Sequence, residues 1–175
     1  MAGHNKWAQI KRQKGKTDAQ KSKAFSKFSR LITVEAKKVN GDKNSPALKA
    51  IIDRARAINM PNDSIDRAVK KSSEQSVAME AVLYEAYGPG GSALVVDALT
   101  DNRNKAAQEI KFILSRNGFA LAGMGAASWA FEKTSEGWIP KTTIELTDED
   151  LVKLEQIVNE LEENDEVQNV YTNAE

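Results

Sequence analysis

Residues 84–105 read YEAYGPGGSALVVDALTDNRNK, and their succession of residue types sets the fold. Pro89 presets φ for a tight turn, and Gly90 and Gly91 can take the positive φ that such turns need. Ala93 to Leu99 is an apolar run with β-branched Val95 and Val96, the pattern of a buried strand. Asp101 or Asn102 is placed to cap a following helix. The stretch reads as strand, turn, strand, helix start. Before it the chain is basic and helical in pattern, and after it acidic and mixed.

The formal net charge is zero, from 25 Lys+Arg against 25 Asp+Glu. The charges are nevertheless segregated. Residues 1–75 hold 18 basic and 7 acidic side chains, and residues 76–175 hold 7 and 18. Such asymmetry marks the first half as a polyanion-binding half; the competing reading is that the two halves neutralise one another. With no cysteine there is no disulfide framework, thiol nucleophile or Cys-ligated metal site, which fits a reducing, cytoplasmic compartment. No apolar run approaches the roughly 20 residues of a membrane helix, and the start lacks the apolar core of a secretory signal.

Residues 1–16, MAGHNKWAQIKRQKGK, carry no acid and little apolar surface, so they read as a flexible basic arm. Candidate nucleic-acid contacts are His4, Lys6, Trp7, Lys11, Arg12, Lys14 and Lys16 of the arm. Lys21, Lys23, Lys27 and Arg30 of the first helix join them, since Lys and Arg neutralise phosphates. Trp7 or His4 can stack on an unpaired base. Alternatively Trp7 docks the arm by packing on the helical domain.

The helix period predicts a first helix over 18–40 with Phe25, Phe28, Ile32, Ala36 and Val39 inward, stopped at Gly41. Ser45-Pro46 starts a second, with Leu48, Ile51, Ile52, Ala55 and Ile58 inward. A third starts near Asn62 and buries Ile65, Ala68 and Val69. Short connections make these a three-helix bundle over 17–75. The polar stretch Ser72–Ser76 is the expected domain boundary.

In 76–175, strands are expected at Val82–Tyr87, Ser92–Leu99, Ala127–Lys133, Lys141–Leu146 and Val167–Thr172. Helices are expected from Asn102 to Asn117 and from Thr147 to Leu161, with Leu121 to Gly125 as loop. From Ser92 the order is β-α-β twice, a ferredoxin-like arrangement. The fold class is thus α+β.

Catalytic chemistry finds little to work with. His4 is the one histidine, so no histidine dyad or metal cluster assembles. The glycine turn lacks a phosphate-loop lysine and precedes a strand. Glu162–Glu166 reads as a solvated acidic run. No cofactor, metal or small-molecule substrate is expected. One further anion contact is open at Asn102, Arg103 and Lys105, where a helix N-terminus meets two cations; the plain alternative is a capped helix with solvated cations.

Four separated stretches carry a family resemblance: MAGHNKWAQIK at the start, AINMPNDSIDRAVKK in the middle, YEAYGPGGSALVVDALTDNRNK, and DEVQNVYTN at the end. Together they make the chain resemble the YebC family, whose eukaryotic relatives include the mitochondrial translational activator of cytochrome oxidase. The family usually carries a further α/β domain between the segments corresponding to Ala127–Lys133 and Gly137–Leu146. Here only Thr134-Ser135-Glu136 joins them, so the chain looks like a short form. The resemblance implies DNA-binding transcriptional regulation or a translation factor on the ribosome that aids difficult, notably proline-rich, sequences. The expected function is a non-enzymatic RNA-associated factor with ribosomal RNA or tRNA as partner. DNA binding is the alternative, and a protein-interaction adaptor a second one.

Overall fold

The structure, a computed structural model, describes residues 7, 18–74 and 78–175. It divides into two units. One contains the described residues of Lys16–Glu80 together with Leu99–Asp101. The other contains Ala81–Ala98, Asn102–Glu175 and Trp7.

The first unit is built from α1 (Asp18–Lys38), α2 (Pro46–Ala57) and α3 (Asn62–Lys71). Ile32 and Ala36 of α1, Leu48, Ile52 and Ala55 of α2, and Ile65 and Ala68 of α3 form its core, with Phe25, Phe28 and Val39 packed against it. These are the 3.6-period positions of each helix. The chain leaves α1 with Asn40 and Gly41 both at positive φ, and the Gly41 N–H bonds the Ala36 carbonyl at 2.8 Å. Thr33 Oγ1 donates across the core to the Ala68 carbonyl at 3.0 Å, which ties α1 to α3. Met60, between α2 and α3, is also buried in this core. Pro46 opens α2 as expected, although the Ser45 side chain makes no cap bond.

In the second unit, except for Glu80, Leu99 and Thr100, β1 (Glu80–Tyr87) and β2 (Ala93–Thr100) flank the glycine turn, where Gly90 and Gly91 take φ of 63° and 78°. A Cβ on Gly90 would lie 2.5 Å from Leu146 Cδ2, so glycine is required there twice over. Asn102 caps α4 (Arg103–Arg116), its Oδ1 accepting the Lys105 N–H at 3.0 Å. The chain continues through β3 (Leu121–Ala122), β4 (Phe131–Thr134), β5 (Gly137–Pro140), α5 (Asp148–Glu163) and β6 (Val167–Thr172). Thr147 caps α5, and Leu151, Leu154, Ile157, Val158 and Leu161 are all buried.

The main sheet has the order β3-β1-β2-β6, and β4 pairs with β5 separately. Successive side chains of β2 point to opposite faces. Leu94 and Val96 join the cluster that includes Ile110, Leu114 and Leu154 of the helices. Ala93 and Val95 join Ala127, Ala130 and Phe131 on the other face.

The fold class is α+β, with local departures from expectation. Leu121–Ala122, expected as loop, is a strand paired with Glu85 and Ala86 of β1. The start of Ala127–Lys133 is a 3-10 turn over Ser128–Ala130, and the strand begins at Phe131. Lys141–Leu146 is not a strand. Its first two N–H groups go to the Ala130 carbonyl, at 2.8 and 3.4 Å, and it retains one bridge, Ile144 to Ala174. Ferredoxin-like pairing from Ser92 onward would put that segment inside the sheet. The place between β2 and β3 is held instead by β1, which precedes the turn. A connection as short as that turn makes β1 and β2 antiparallel, and β1 also runs antiparallel to β3. The segment β2-α4-β3 is therefore a parallel crossover with β1 between its strands.

Glu85 is 4% exposed and looks like a core error until its partners are considered. Its carboxylate accepts the backbone N–H groups of Gly125 at 2.8 Å, Ala127 at 2.8 Å and Ser128 at 2.7 Å. Burial pushes the Glu85 carboxyl up, but these donors outweigh it and hold it below the ordinary carboxylate range. A depressed folded pKa adds stability that is fully present above the unfolded value and is lost as pH falls through the folded one. Glu85→Gln is expected to cost about 2–3 kcal/mol at neutral pH, the worth of hydrogen bonds to a charged group. The gap from the parent should narrow as acid protonates Glu85. Denaturant melts across pH check this, and a gap independent of pH would contradict it.

Candidate nucleic-acid interface

Residues 18–74 hold thirteen Lys or Arg against seven Asp or Glu. The apolar residues of α1–α3 fill the core, so the cations are left outside. Lys37, Lys49, Arg54, Arg56, Arg67, Lys70 and Lys71 are all at least partly exposed. Several sit in last helical turns, where the negative helix end favours cations. Others form exposed pairs with nearby acids: Lys38–Glu35 at 2.9 Å, Lys43–Asp66 at 2.6 Å and Arg56–Asp53 at 3.6 Å. Such pairs hold weakly in water, so a phosphate can displace the carboxylate. Arg54 also lies over the Phe28 ring, 5.6 Å from its centroid.

The residues singled out from the sequence fall into four groups. His4, Lys6, Lys11, Arg12, Lys14 and Lys16 lie outside the described residues. Lys21 is exposed on α1, 3.8 Å from Asp18, and Lys23 and Lys27 are half-buried on the same helix. Arg30 is half-buried, and its Nη1 donates to the Leu99 carbonyl at 3.1 Å, so this part of its guanidinium is committed to backbone. Trp7 is 9% exposed and belongs to the helix-side core of the α+β unit, not to the helical domain on which sequence placed its packing alternative. At 9% exposure the ring is largely covered by that core.

Asn102, Arg103 and Lys105 do come together at the start of α4. Lys105 Nζ lies 3.1 Å from Glu166 Oε1 and 3.7 Å from Glu109 Oε1. Glu166 is buried, and its other oxygen, Oε2, has no hydrogen-bond partner. Lys105 thus stabilises a buried carboxylate, and an incoming anion would compete with it. Sequence reasoning missed Glu85 and the exposed aromatic Trp129, which lies in the 3-10 turn. A signal was present in the long uncharged run that contains Trp129.

Among the described residues no helix is long and apolar enough to cross a membrane. No group of three or more His, Cys, Asp or Glu among them is placed to hold a metal ion.

A helical unit with its cations outward, joined in one chain to an acidic α+β unit, is the class of protein defined here. A family model described as the TACO1/YebC protein N-terminal domain matches residues 5–75. One described as the TACO1/YebC second and third domain matches residues 79–136 and 133–174. The chain belongs to the TACO1/YebC family. A relative from Petrotoga mobilis is 44% identical over 168 residues, covering 94% of this chain and 67% of its own. One from Thermosipho africanus is 35% identical over 237 residues, covering 100% and 94%. Both are named probable transcriptional regulatory proteins. That second alignment exceeds the 175 residues of this chain, so the relative carries residues without counterpart here. The crystal structure of a conserved hypothetical protein, Aq1575 from Aquifex aeolicus, matches with a TM-score of 0.85 at 29% identity. It covers 97% of this chain and 96% of that one.

The burial of Trp7 sets a test. Trp7→Ala is expected to destabilise the protein by about 3–5 kcal/mol, the range for truncating a buried aromatic. The slope of nucleic-acid affinity against salt should stay as it was, because no phosphate contact is removed. Thermal melting beside a binding titration checks both, and an unchanged melting temperature would contradict the core placement.

Proposed function

We propose that this chain is a non-enzymatic nucleic-acid-binding factor of gene expression that works in the cytoplasm on structured RNA of the ribosome or on tRNA. The observation that carries the reading is the outward basic surface of the helical unit. In this reading residues 1–16 are a basic arm, 17–75 the main binding domain, and 76–175 a partner domain, with a hinge at 72–76. Phosphate recognition needs only cations that can exchange their carboxylate partners, and α1–α3 present several. The preference for RNA rests on α3. Its first turn exposes Asp63, which phosphates would repel if that helix entered a DNA groove as a recognition helix. Shape and backbone contact remain, which is how folded RNA is commonly bound.

A second reading, DNA binding in transcriptional regulation, is favoured by the name the relatives carry, probable transcriptional regulatory protein.

Binding to purified ribosomes, a folded RNA and a DNA duplex across a salt series separates the two. With about five phosphates neutralised, log affinity should fall against log salt with a slope of roughly −4 on the duplex and −3 to −4 on single strands. Replacing Lys11, Arg12, Lys14 and Lys16 with glutamine should flatten the slope by about one unit for each phosphate left without its cation. Ribosome binding that exceeds duplex binding at every salt supports the RNA reading. The reverse order supports the DNA reading, and a slope near zero on all three removes both.

A further inference from the structure

Residues 119–131, FALAGMGAASWAF, contain no charged side chain in a chain that is 29% charged. The end of the run is anchored, with Ala127, Ala130 and Phe131 buried beneath the sheet. Its middle is displayed. Met124 is 100% exposed, Trp129 56% and Tyr87, on β1 and hydrogen-bonded to Trp129, 38%. An isolated exposed apolar side chain needs no explanation, but a group of three on one loop and the strand beside it does.

The loop is fixed as well as exposed. Three of its N–H groups end on the buried Glu85 carboxylate. Trp129 Nε1 donates to Tyr87 Oη at 2.8 Å and to the Ala126 carbonyl at 2.9 Å, and the Tyr87 hydroxyl donates to that same carbonyl. Aromatic anchors held in place before binding lose little freedom on contact, which is how interface hot spots gain affinity. Methionine adds an adaptable apolar contact.

Charge decides what fits. Residues 78–175 carry seven Lys or Arg against eighteen Asp or Glu. The nearest cation following the run, Lys133, is stationed over the Trp138 ring, 5.6 Å from its centroid. A nucleic-acid backbone would be repelled by this unit, whereas a basic protein would be drawn to it. We propose that the Met124–Trp129 loop, with Tyr87, docks a protein partner through an apolar cleft rimmed by lysine and arginine. This proposal concerns the α+β unit alone and stands whether or not the nucleic-acid reading holds.

The test places a photo-crosslinking side chain at position 124 of the full chain in its native host, with the same group at Lys111, exposed on α4, as background. Each captured protein is then purified and titrated against the parent, Met124→Ser and Trp129→Ser. The expected result is a captured basic protein that binds the parent and loses at least tenfold on either substitution, with melting unchanged. Because Trp129 also makes hydrogen bonds, Met124→Ser decides if Trp129→Ser folds poorly. Adducts with nucleic acid only, no adduct above the Lys111 background, capture of an acidic protein, or binding indifferent to Met124→Ser would each overturn the proposal.

Discussion

The α+β unit depends on one strand that is dry on both sides. In β2, Leu94 and Val96 meet the helices while Ala93 and Val95 meet the opposite layer, so neither face can go to water. A strand so placed needs partners on both edges for its backbone groups. β1 and β6 supply them, with Val95 opposite Tyr171 and Val96 opposite Val170. The small residues Ala127 and Ala130 under it let the chain approach closely on the side away from the helices. The polar tie at the end of the strand follows the same logic. Asn173 Oδ1 accepts the Ala93 N–H at 2.7 Å, and Asn173 Nδ2 donates to the Thr142 carbonyl at 3.1 Å. One side chain thereby satisfies the start of β2 and fastens the segment that follows β5.

Local grammar was legible wherever one residue type had one physical use. Gly90 and Gly91, the Thr147 cap, Gly118 at φ 85° and the five inward positions of α5 were all readable, and the cap before α4 was narrowed to Asp101 or Asn102. What failed was pairing. The composition of Lys141–Leu146 suits a strand, but Pro140 before it donates nothing, and the carbonyl of Ala130 takes the next two N–H groups. Leu121–Ala122 looked like loop because two residues carry no period, yet they complete the sheet edge beside β1. Neither outcome is encoded in the segment itself; both depend on who the neighbour is. The candidate site divides along the same line. Cations on helix faces follow from the helix period, whereas the burial of Trp7 and the work of Glu85 are long-range facts. A lone glutamate between apolar residues in a strand usually faces solvent. Only the returning backbone at Gly125, Ala127 and Ser128 makes it a buried hub.

Each unit handles its charge differently. The helical unit leaves several of its cations in exposed pairs or at helix ends, states that cost little to rearrange, while Arg30 is bonded to the Leu99 carbonyl. The α+β unit commits charge to structure. Lys105 serves Glu166 and Glu109, and Glu160 takes the guanidinium of Arg116 at 2.8 Å together with the Asn117 amide. Burial pushes the Glu160 carboxyl up, but these donors outweigh it and leave it below the ordinary range. Cations already committed to buried or networked carboxylates are poor phosphate ligands. Exchangeable surface cations are good ones, which is why the basic surface of the helical unit, and not the start of α4, carries the proposed function.

A local constraint of the same kind marks where the chain tolerates a difference in length from its longer relatives. The model of the second and third domains matches this chain in two pieces that meet within residues 133–136. That junction is the turn of the β4–β5 hairpin, where Thr134 pairs with Gly137. The turn is closed by Thr134 Oγ1, which donates to the Gly137 carbonyl at 2.9 Å and accepts the Glu136 N–H at 3.2 Å. A hairpin holds its two strand ends side by side, so a segment can be spliced in or left out there without stretching either strand. Gly137 takes φ 121° and lies directly against the Tyr171 ring of β6, which leaves no room for a Cβ. Tyr171 in turn packs with Trp138 against the cluster beneath β2. The join is therefore permissive in length but not in the residue that follows it: chain can be added before Gly137, while Gly137 itself is pinned to the sheet.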